Sequence, residues 1–124
     1  MSEKEDNYAK ITGIRIKEVR DGYAKASMKV TEDHINFSGV THGGAIFTLA
    51  DCAFAEAANF GEELALAVQV DIKFLKPSYE GDELTAEAFR ISESKRFSLY
   101  HVKVNKNDEL IAVFSGLAYI KKRY

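Results

Sequence analysis

The chain has 124 residues, a length that suits one domain, and 46% of them are hydrophobic, enough to form a buried core. Its 17 basic and 19 acidic side chains give a net charge of -2 and are spread along the sequence, which argues against a nucleic-acid partner. The first residues are charged, and no stretch approaches the ~20 apolar residues of a membrane span, so we expect a cytoplasmic protein without a membrane partner.

A β-hairpin is predicted near the start of the chain. Apolar and polar residues alternate within 11–19 and again from Ala24 to Val30, as in half-buried strands. Arg20-Asp21-Gly22 lies between them and is typical of a turn. The alternation is lost from Thr31 to Thr41, where Asp, Asn, Ser and Gly predict a loop.

One long helix is predicted from Gly44 to Phe60. The segment is rich in alanine and free of proline, and Gly61 stands where a C-cap glycine would end the helix. Its apolar residues nearly encircle it, and a helix that is apolar on all sides is buried on most of them. The rest of the chain must therefore wrap this helix.

Four further strands are predicted in the second half of the chain, at 66–76, 83–92, 97–105 and 110–121. Hairpins impose antiparallel neighbours, and only a curved sheet covers several faces of a helix. The sequence therefore predicts an α+β protein with the hotdog architecture, a curved antiparallel sheet wrapped round one long central helix, as a single domain over residues 1–124. An edge strand and helix surface that one sheet leaves uncovered predict at least a dimer.

Asp51 is the conspicuous polar residue of the predicted helix, because apolar residues surround it. A carboxylate buried there without partners would cost several kcal/mol. It either faces a solvent channel, binds a neighbouring backbone group or lysine, or is a functional acid with a raised pKa. We favour the functional acid.

His42-Gly43-Gly44 stands where the loop becomes the helix. Paired glycines allow another molecule to approach the backbone, and the first N–H groups of a helix have no internal acceptor. Such N–H groups are suited to polarise a carbonyl that becomes an oxyanion. A tight turn leading into the helix is the alternative, but Asp51 in the same helix favours a catalytic role for the glycines.

The spacing of these groups predicts how the site is assembled. Gly43 and Asp51 are eight positions apart in the sequence, which is ~12 Å along a helix. One substrate carbonyl cannot contact both in the same chain. If both act on one carbonyl, the acid comes from a second subunit whose helix lies antiparallel beside the first.

Other candidate residues are less specific. Asn36 is predicted either to orient a water or a substrate carbonyl or to bind its own backbone in a turn, and His42 either to hydrogen-bond the substrate or to brace the loop. His34, His42 and His101 lack the spacing of metal ligands, and Cys52 is interpreted as a core residue. The sequence predicts neither a metal ion nor a cofactor.

A linked set of residues carries a family resemblance. It comprises the run from Asn36 to Asp51, then Ala53-Phe54-Ala55 and Asn59, and the segments 70–77 and 81–84. This pattern resembles the hotdog-fold acyl-coenzyme A thioesterases of the phenylacetate-degradation (PaaI-like) type. The resemblance implies hydrolysis of an acyl-coenzyme A, often an aryl-acetyl or medium-chain thioester, by a homotetramer built from dimers.

The resemblance also implies roles for single residues. Asp51 matches the family's catalytic carboxylate, which acts as general base or nucleophile. Gly43 or Gly44 matches the N–H that polarises the carbonyl. His42 and Asn36 match loop residues beside the thioester.

Gln69 departs from the pattern, because some relatives have Ser or Thr there, near the nucleophilic water. An amide can also hold a water, so Gln69 is a candidate substrate-binding residue. Two other functions stay open: hydration or dehydration of an enoyl-thioester on the same fold, and non-catalytic binding or sensing of acyl-coenzyme A.

Overall fold

The computed structural model describes residues 5–122. Within that range no helix is both long and apolar enough to cross a membrane. In chain order the elements are α1 (Asn7–Thr12), β1 (Ile14–Arg20), β2 (Tyr23–Lys29), a 3-10 helix (Glu32–His34), α2 (Gly43–Ala58), β3 (Leu64–Phe74), β4 (Glu83–Glu93), β5 (Phe97–Lys106) and β6 (Glu109–Lys122).

The six strands form one antiparallel sheet in the order β1-β2-β4-β5-β6-β3. The long helix α2 packs on this sheet and contacts all six strands. The predicted α+β hotdog architecture is confirmed. β1 and β3 are the edge strands, so among residues 5–122 β3 pairs only with β6 and its other side has no strand partner.

Small side chains on the central strands let α2 lie close to the sheet. Ala26 of β2 pairs with Ala86 of β4, and both are completely buried. On β6, the ring of Phe114 lies 5.7 Å from the ring of Phe54 on α2. Gly116 leaves room for the Phe54 ring, since a Cβ there would lie 2.9 Å from two of its carbons. Alanine and glycine in the sheet therefore set how deeply the helix sits.

One stripe of α2, which we call the open stripe, is only half-buried among residues 5–122. As predicted, most of the helix is buried, including nine of its 16 residues. Half-buried residues recur at Phe47, Thr48, Asp51 and Ala55, a spacing that follows one side of an α-helix. Asp51 therefore lies on this open stripe and not on the fully buried face of α2.

The first helix, α1, corrects the predicted start of the first strand, which begins at Ile14 and not at residue 11. Asp6 caps α1 by accepting a hydrogen bond from Ala9 N at 3.0 Å, and Gly13 ends it with φ 83°. Asp6 and Gly13 are residue types that commonly cap a helix, so the sequence does indicate α1. The six residues between them are too few to show a helical period of hydrophobicity.

The predicted C-cap of α2 was also wrong. The helix ends at Ala58, with Asn59 as its cap, and Gly61 lies in the following turn. The side chain of Asn59 donates to Ala55 O at 2.9 Å and accepts from Ala65 N at 2.8 Å. Its amide therefore closes the helix and ties it to β3.

Gly116→Ala is predicted to destabilise the fold by about 1–3 kcal/mol, because the added methyl group overpacks the core against Phe54. Urea unfolding at fixed chain concentration measures the effect. Phe54→Leu in the Gly116→Ala background should recover part of the loss, and Ser115→Ala on the same strand serves as the control. Equal stability of Gly116→Ala and the wild type would contradict this packing.

Candidate active site

Three of the first four N–H groups of α2 donate hydrogen bonds to His42. Ala45 N and Ile46 N both donate to His42 O, at 3.0 and 3.4 Å, and Gly44 N donates to His42 Nδ1 at 2.8 Å. No acceptor within residues 5–122 bonds the N–H of Gly43. Gly43 therefore presents the open donor at the positive end of the helix dipole.

His42 is the N-cap of α2, and this cap separates the roles of the two glycines. Gly44 makes room for the cap, since a Cβ at that position would lie 3.0 Å from His42 Nδ1. Because Nδ1 accepts the hydrogen bond, the neutral imidazole carries its proton on Nε2. The exposed His42 side chain thus braces the helix with one nitrogen and offers a donor with the other.

Asn36 shapes the loop before the helix. Its Oδ1 accepts from Ser38 N at 2.9 Å and from Val40 N at 3.2 Å. This is the turn arrangement that the sequence left open as an alternative. No described residue accepts a hydrogen bond from its Nδ2, so the amide nitrogen is still available as a donor.

Three buried polar residues support the loop that precedes α2. None of them was identified from the sequence as a site residue. Ser78 Oγ donates to Thr41 Oγ1 at 2.7 Å, and Thr41 N donates to Ser78 O at 2.9 Å. His34 O accepts from His42 N at 2.7 Å, while the His34 ring bonds Thr31 N and Thr12 O. These contacts hold Thr41 and His42 in place at the start of α2. Of these contacts, only the Thr31-x-x-His34 capping box has a local sequence signal.

Asp51 is half-buried on the open stripe of α2, and no described residue forms a hydrogen bond or an ion pair with its carboxylate. Burial raises the pKa of Asp51, and the nearby negative charge of Asp6 raises it further. Glu56 lies one turn further along, and the same two causes raise its pKa. An unpartnered carboxyl whose proton is held more tightly is suited to proton transfer.

The two strongest candidates do not meet within one chain. Gly43 and Asp51 lie on the same uninterrupted helix, eight residues apart. That separation corresponds to about 12 Å along the axis and about 80° around it. The structure thus brings His42, Gly43 and Gly44 together at one end of α2 and leaves Asp51 two turns away.

Gln69 lies on the edge strand β3, directly after Val68, which is skipped in the pairing with β6. Such a bulge re-aims side chains at the edge of a sheet. Gln69 is exposed, and no hydrogen bond joins it to Asp51 among the described residues.

Cys52 is buried, as predicted for a core residue. Its Sγ lies 3.6 Å from Asp6 Oδ2, and burial together with this acid raises the pKa of the thiol to about 12. A thiol that stays protonated is a poor nucleophile.

The sequence and the fold are similar to those of known proteins. Residues 38–112 match the thioesterase superfamily. The chain belongs to that family. The acyl-coenzyme A thioesterase PaaI of Escherichia coli K12 is 38% identical over 112 residues, which cover 90% of this chain and 80% of that protein. A predicted esterase of Archaeoglobus fulgidus is 42% identical over 117 residues, 94% of this chain and 76% of that protein.

The solved structure of E. coli PaaI superposes with a TM-score of 0.90 and 36% identity, over 94% of this chain and 86% of that chain. The PaaI-like resemblance is therefore confirmed, and the chain is a hotdog thioesterase. The superfamily match contains His42, Gly43, Gly44 and Asp51, whereas Asn36 precedes it.

Removing the charge of Asp51 is predicted to stabilise the folded chain at neutral pH. Because the pKa of Asp51 is higher in the folded state than in the unfolded state, its ionised form costs folding free energy above the folded-state pKa. We expect Asp51→Asn to raise the urea midpoint at pH 7. The gain should shrink as the pH falls below the folded-state pKa of Asp51, and it should vanish below the unfolded-state value of about 4, where the carboxyl is protonated in both states.

The exposed Asp108, changed to Asn in the turn between β5 and β6, provides the control at matched chain concentration. A urea midpoint of Asp51→Asn equal to or below that of the wild type at pH 7 would contradict a raised pKa of Asp51 in the folded chain.

Proposed function

We propose that the protein hydrolyses an acyl-coenzyme A thioester to the free acid and coenzyme A, in the cytoplasm. The observation that carries the proposal is the open N–H of Gly43 at the first turn of α2, in a chain of the thioesterase superfamily. The family relative PaaI is named as an acyl-coenzyme A thioesterase. The structure of E. coli PaaI is described as that of a protein from the phenylacetic acid degradation operon, so phenylacetyl-coenzyme A is the first substrate to test.

The substrate carbonyl oxygen accepts a hydrogen bond from Gly43 N–H. As water adds to the carbonyl carbon, negative charge develops on that oxygen, and a fixed donor at a helix N-terminus stabilises it. The carbon–sulfur bond then breaks, and coenzyme A leaves as a thiolate that takes up a proton. His42 Nε2–H and the amide of Asn36 lie on the same loop and orient the thioester.

Asp51 acts either as the general base that removes a proton from water or as a nucleophile that attacks the carbonyl. Its raised pKa brings the carboxyl closer to neutral pH, where a base is most effective. Because Gly43 and Asp51 of one chain are about 12 Å apart along α2, we assign the two groups of each site to different subunits. Gln69, at the edge of the sheet, positions the water.

Two features support a dimer that forms such sites. The open stripe of α2 offers a surface on which a second α2 packs antiparallel. This packing brings Gly43 of each helix towards Asp51 of the other. The edge strand β3 exposes Leu66 and Val68 beside unpaired backbone groups, a combination that favours pairing with a second strand.

The outer face of the sheet favours a pair of such dimers. Leu66, Tyr119 and Phe97 occupy paired positions on neighbouring strands, and Leu66 and Phe97 are exposed. Apolar side chains grouped in this way are typical of an interface between subunits. We therefore propose a homotetramer.

Asp51→Asn is predicted to lower kcat for phenylacetyl-coenzyme A by at least about 10²-fold, the loss expected when a group central to the chemistry is removed. Release of free thiol from a panel of acyl-coenzyme A substrates measures the rate. Unchanged turnover would contradict the role of Asp51. Loss of an enoyl double bond without thiol release would instead favour a hydratase.

Mixing two inactive chains tests the shared site. Gly43→Pro removes the backbone donor, and Asp51→Asn removes the carboxylate. In a mixed dimer, one site receives both defects and the other receives neither, so part of the activity should return. Absence of recovery, with subunit exchange and the fold of the Pro variant verified separately, would show that each site belongs to one chain.

A further inference from the structure

A groove of about 350 Å³ opens beside Gly43, between the loop that precedes α2 and the segment that follows β3. Its lining is mainly apolar and includes Val40, Ile46, Phe74, Leu75 and Pro77. Lys76 is the charged residue of the lining, and its Nζ forms an ion pair with Glu109 at 3.1 Å. The groove therefore suits an apolar group close to the Gly43 donor.

Hydrogen bonds tie the two walls of the groove to each other and to the sheet. Thr41 on one wall exchanges two hydrogen bonds with Ser78 behind the other, and Ser78 is completely buried. Leu75 N and Lys76 N both donate to Ile111 O of β6, at 2.8 and 3.2 Å. The groove is thus a fixed feature of the fold whose width depends on the side chains that line it.

The ring of Phe74 lies over Gly43. Its Cζ would be 3.2 Å from a Cβ built on Gly43, and two further ring carbons would be at 3.6 Å. Phe74 is the last residue of β3 and is 51% exposed, so its ring is not part of the hydrophobic core. The Phe74 ring is therefore a wall of the groove beside Gly43.

We infer that Phe74 is a specificity-determining residue whose ring is the wall against which the acyl group lies when its carbonyl oxygen binds Gly43 N–H. The inference rests on the proposed function. An acyl chain fits this lining better than the pantetheine arm, because the two amides of that arm would lose hydrogen bonds to water without finding partners among apolar side chains.

The acyl-chain profile of kcat/KM tests the inference. Phe74→Ala widens the groove, so the ratio of kcat/KM for decanoyl- to acetyl-coenzyme A should rise about tenfold, the scale on which an apolar pocket discriminates between chain lengths. Phe74→Leu should shift the ratio in the same direction by less and keeps the site measurable if the Ala variant folds poorly. Phe89→Ala, an exposed phenylalanine whose ring packs on Tyr23 of β2, is the matched control.

A second set of variants tests the contact between Phe74 and Gly43. Gly43→Ala retains the backbone N–H, but its methyl group displaces the Phe74 ring. Gly43→Ala should therefore lower kcat/KM about tenfold, which is the size of effect expected when one group is misplaced in an apolar pocket. Phe74→Leu in the Gly43→Ala background should recover most of that loss, whereas Phe89→Ala should recover none.

The outcomes separate the inference from the proposed function. Suppose that the wild type is active and that both Phe74 variants keep its ratio of kcat/KM for decanoyl- to acetyl-coenzyme A. This result would overturn the inference and leave thioester hydrolysis intact. A uniform fall of kcat/KM for all acyl groups would overturn it as well, because it would show that Phe74 affects the common part of the substrate. A wild type that releases no thiol from any acyl-coenzyme A would overturn the proposed function and, with it, the inference.

Discussion

The fixed separation of two groups along α2 is the constraint on which the rest of the account depends. Gly43 presents an open N–H at the first turn, and Asp51 presents a carboxyl two turns later on the same helix. Because an α-helix is rigid over this length, no movement within one chain brings both to one carbonyl. A site that uses both groups needs two helices. The open stripe of α2 and the unpaired edge of β3 are the surfaces on which a second chain would pack to supply the other helix.

The start of α2 is made of two glycines, which are poor helix formers at about 1 kcal/mol each relative to alanine. The His42 cap offsets part of this cost, since an N-cap contributes about 1 kcal/mol. Each glycine has its own steric reason. Gly44 makes room for the His42 ring, and Gly43 makes room for the Phe74 ring while its N–H stays open.

Much of the fold could be predicted from local patterns. Alternating strands and one alanine-rich helix specified the hotdog architecture, and His42, Gly43 and Gly44 were recognisable because glycines at a helix start have few structural explanations. The choice between the two glycine donors depends on the direction of the His42 side chain, which no sequence pattern encodes. The buried Thr41–Ser78 pair joins residues 37 positions apart, beyond the reach of a local motif. The bulge at Val68, which sets the position of Gln69, exists only in the pairing of β3 with β6.

A structure of the Asp51→Asn variant with phenylacetyl-coenzyme A bound would test the shared site most directly. The account predicts the thioester carbonyl oxygen at about 3 Å from Gly43 N of one chain, the distance of an oxyanion-hole donor, with position 51 of a second chain facing the carbonyl carbon. A carbonyl held by Gly44 N–H, or one that faces Gly43 and position 51 of the same chain, would contradict it.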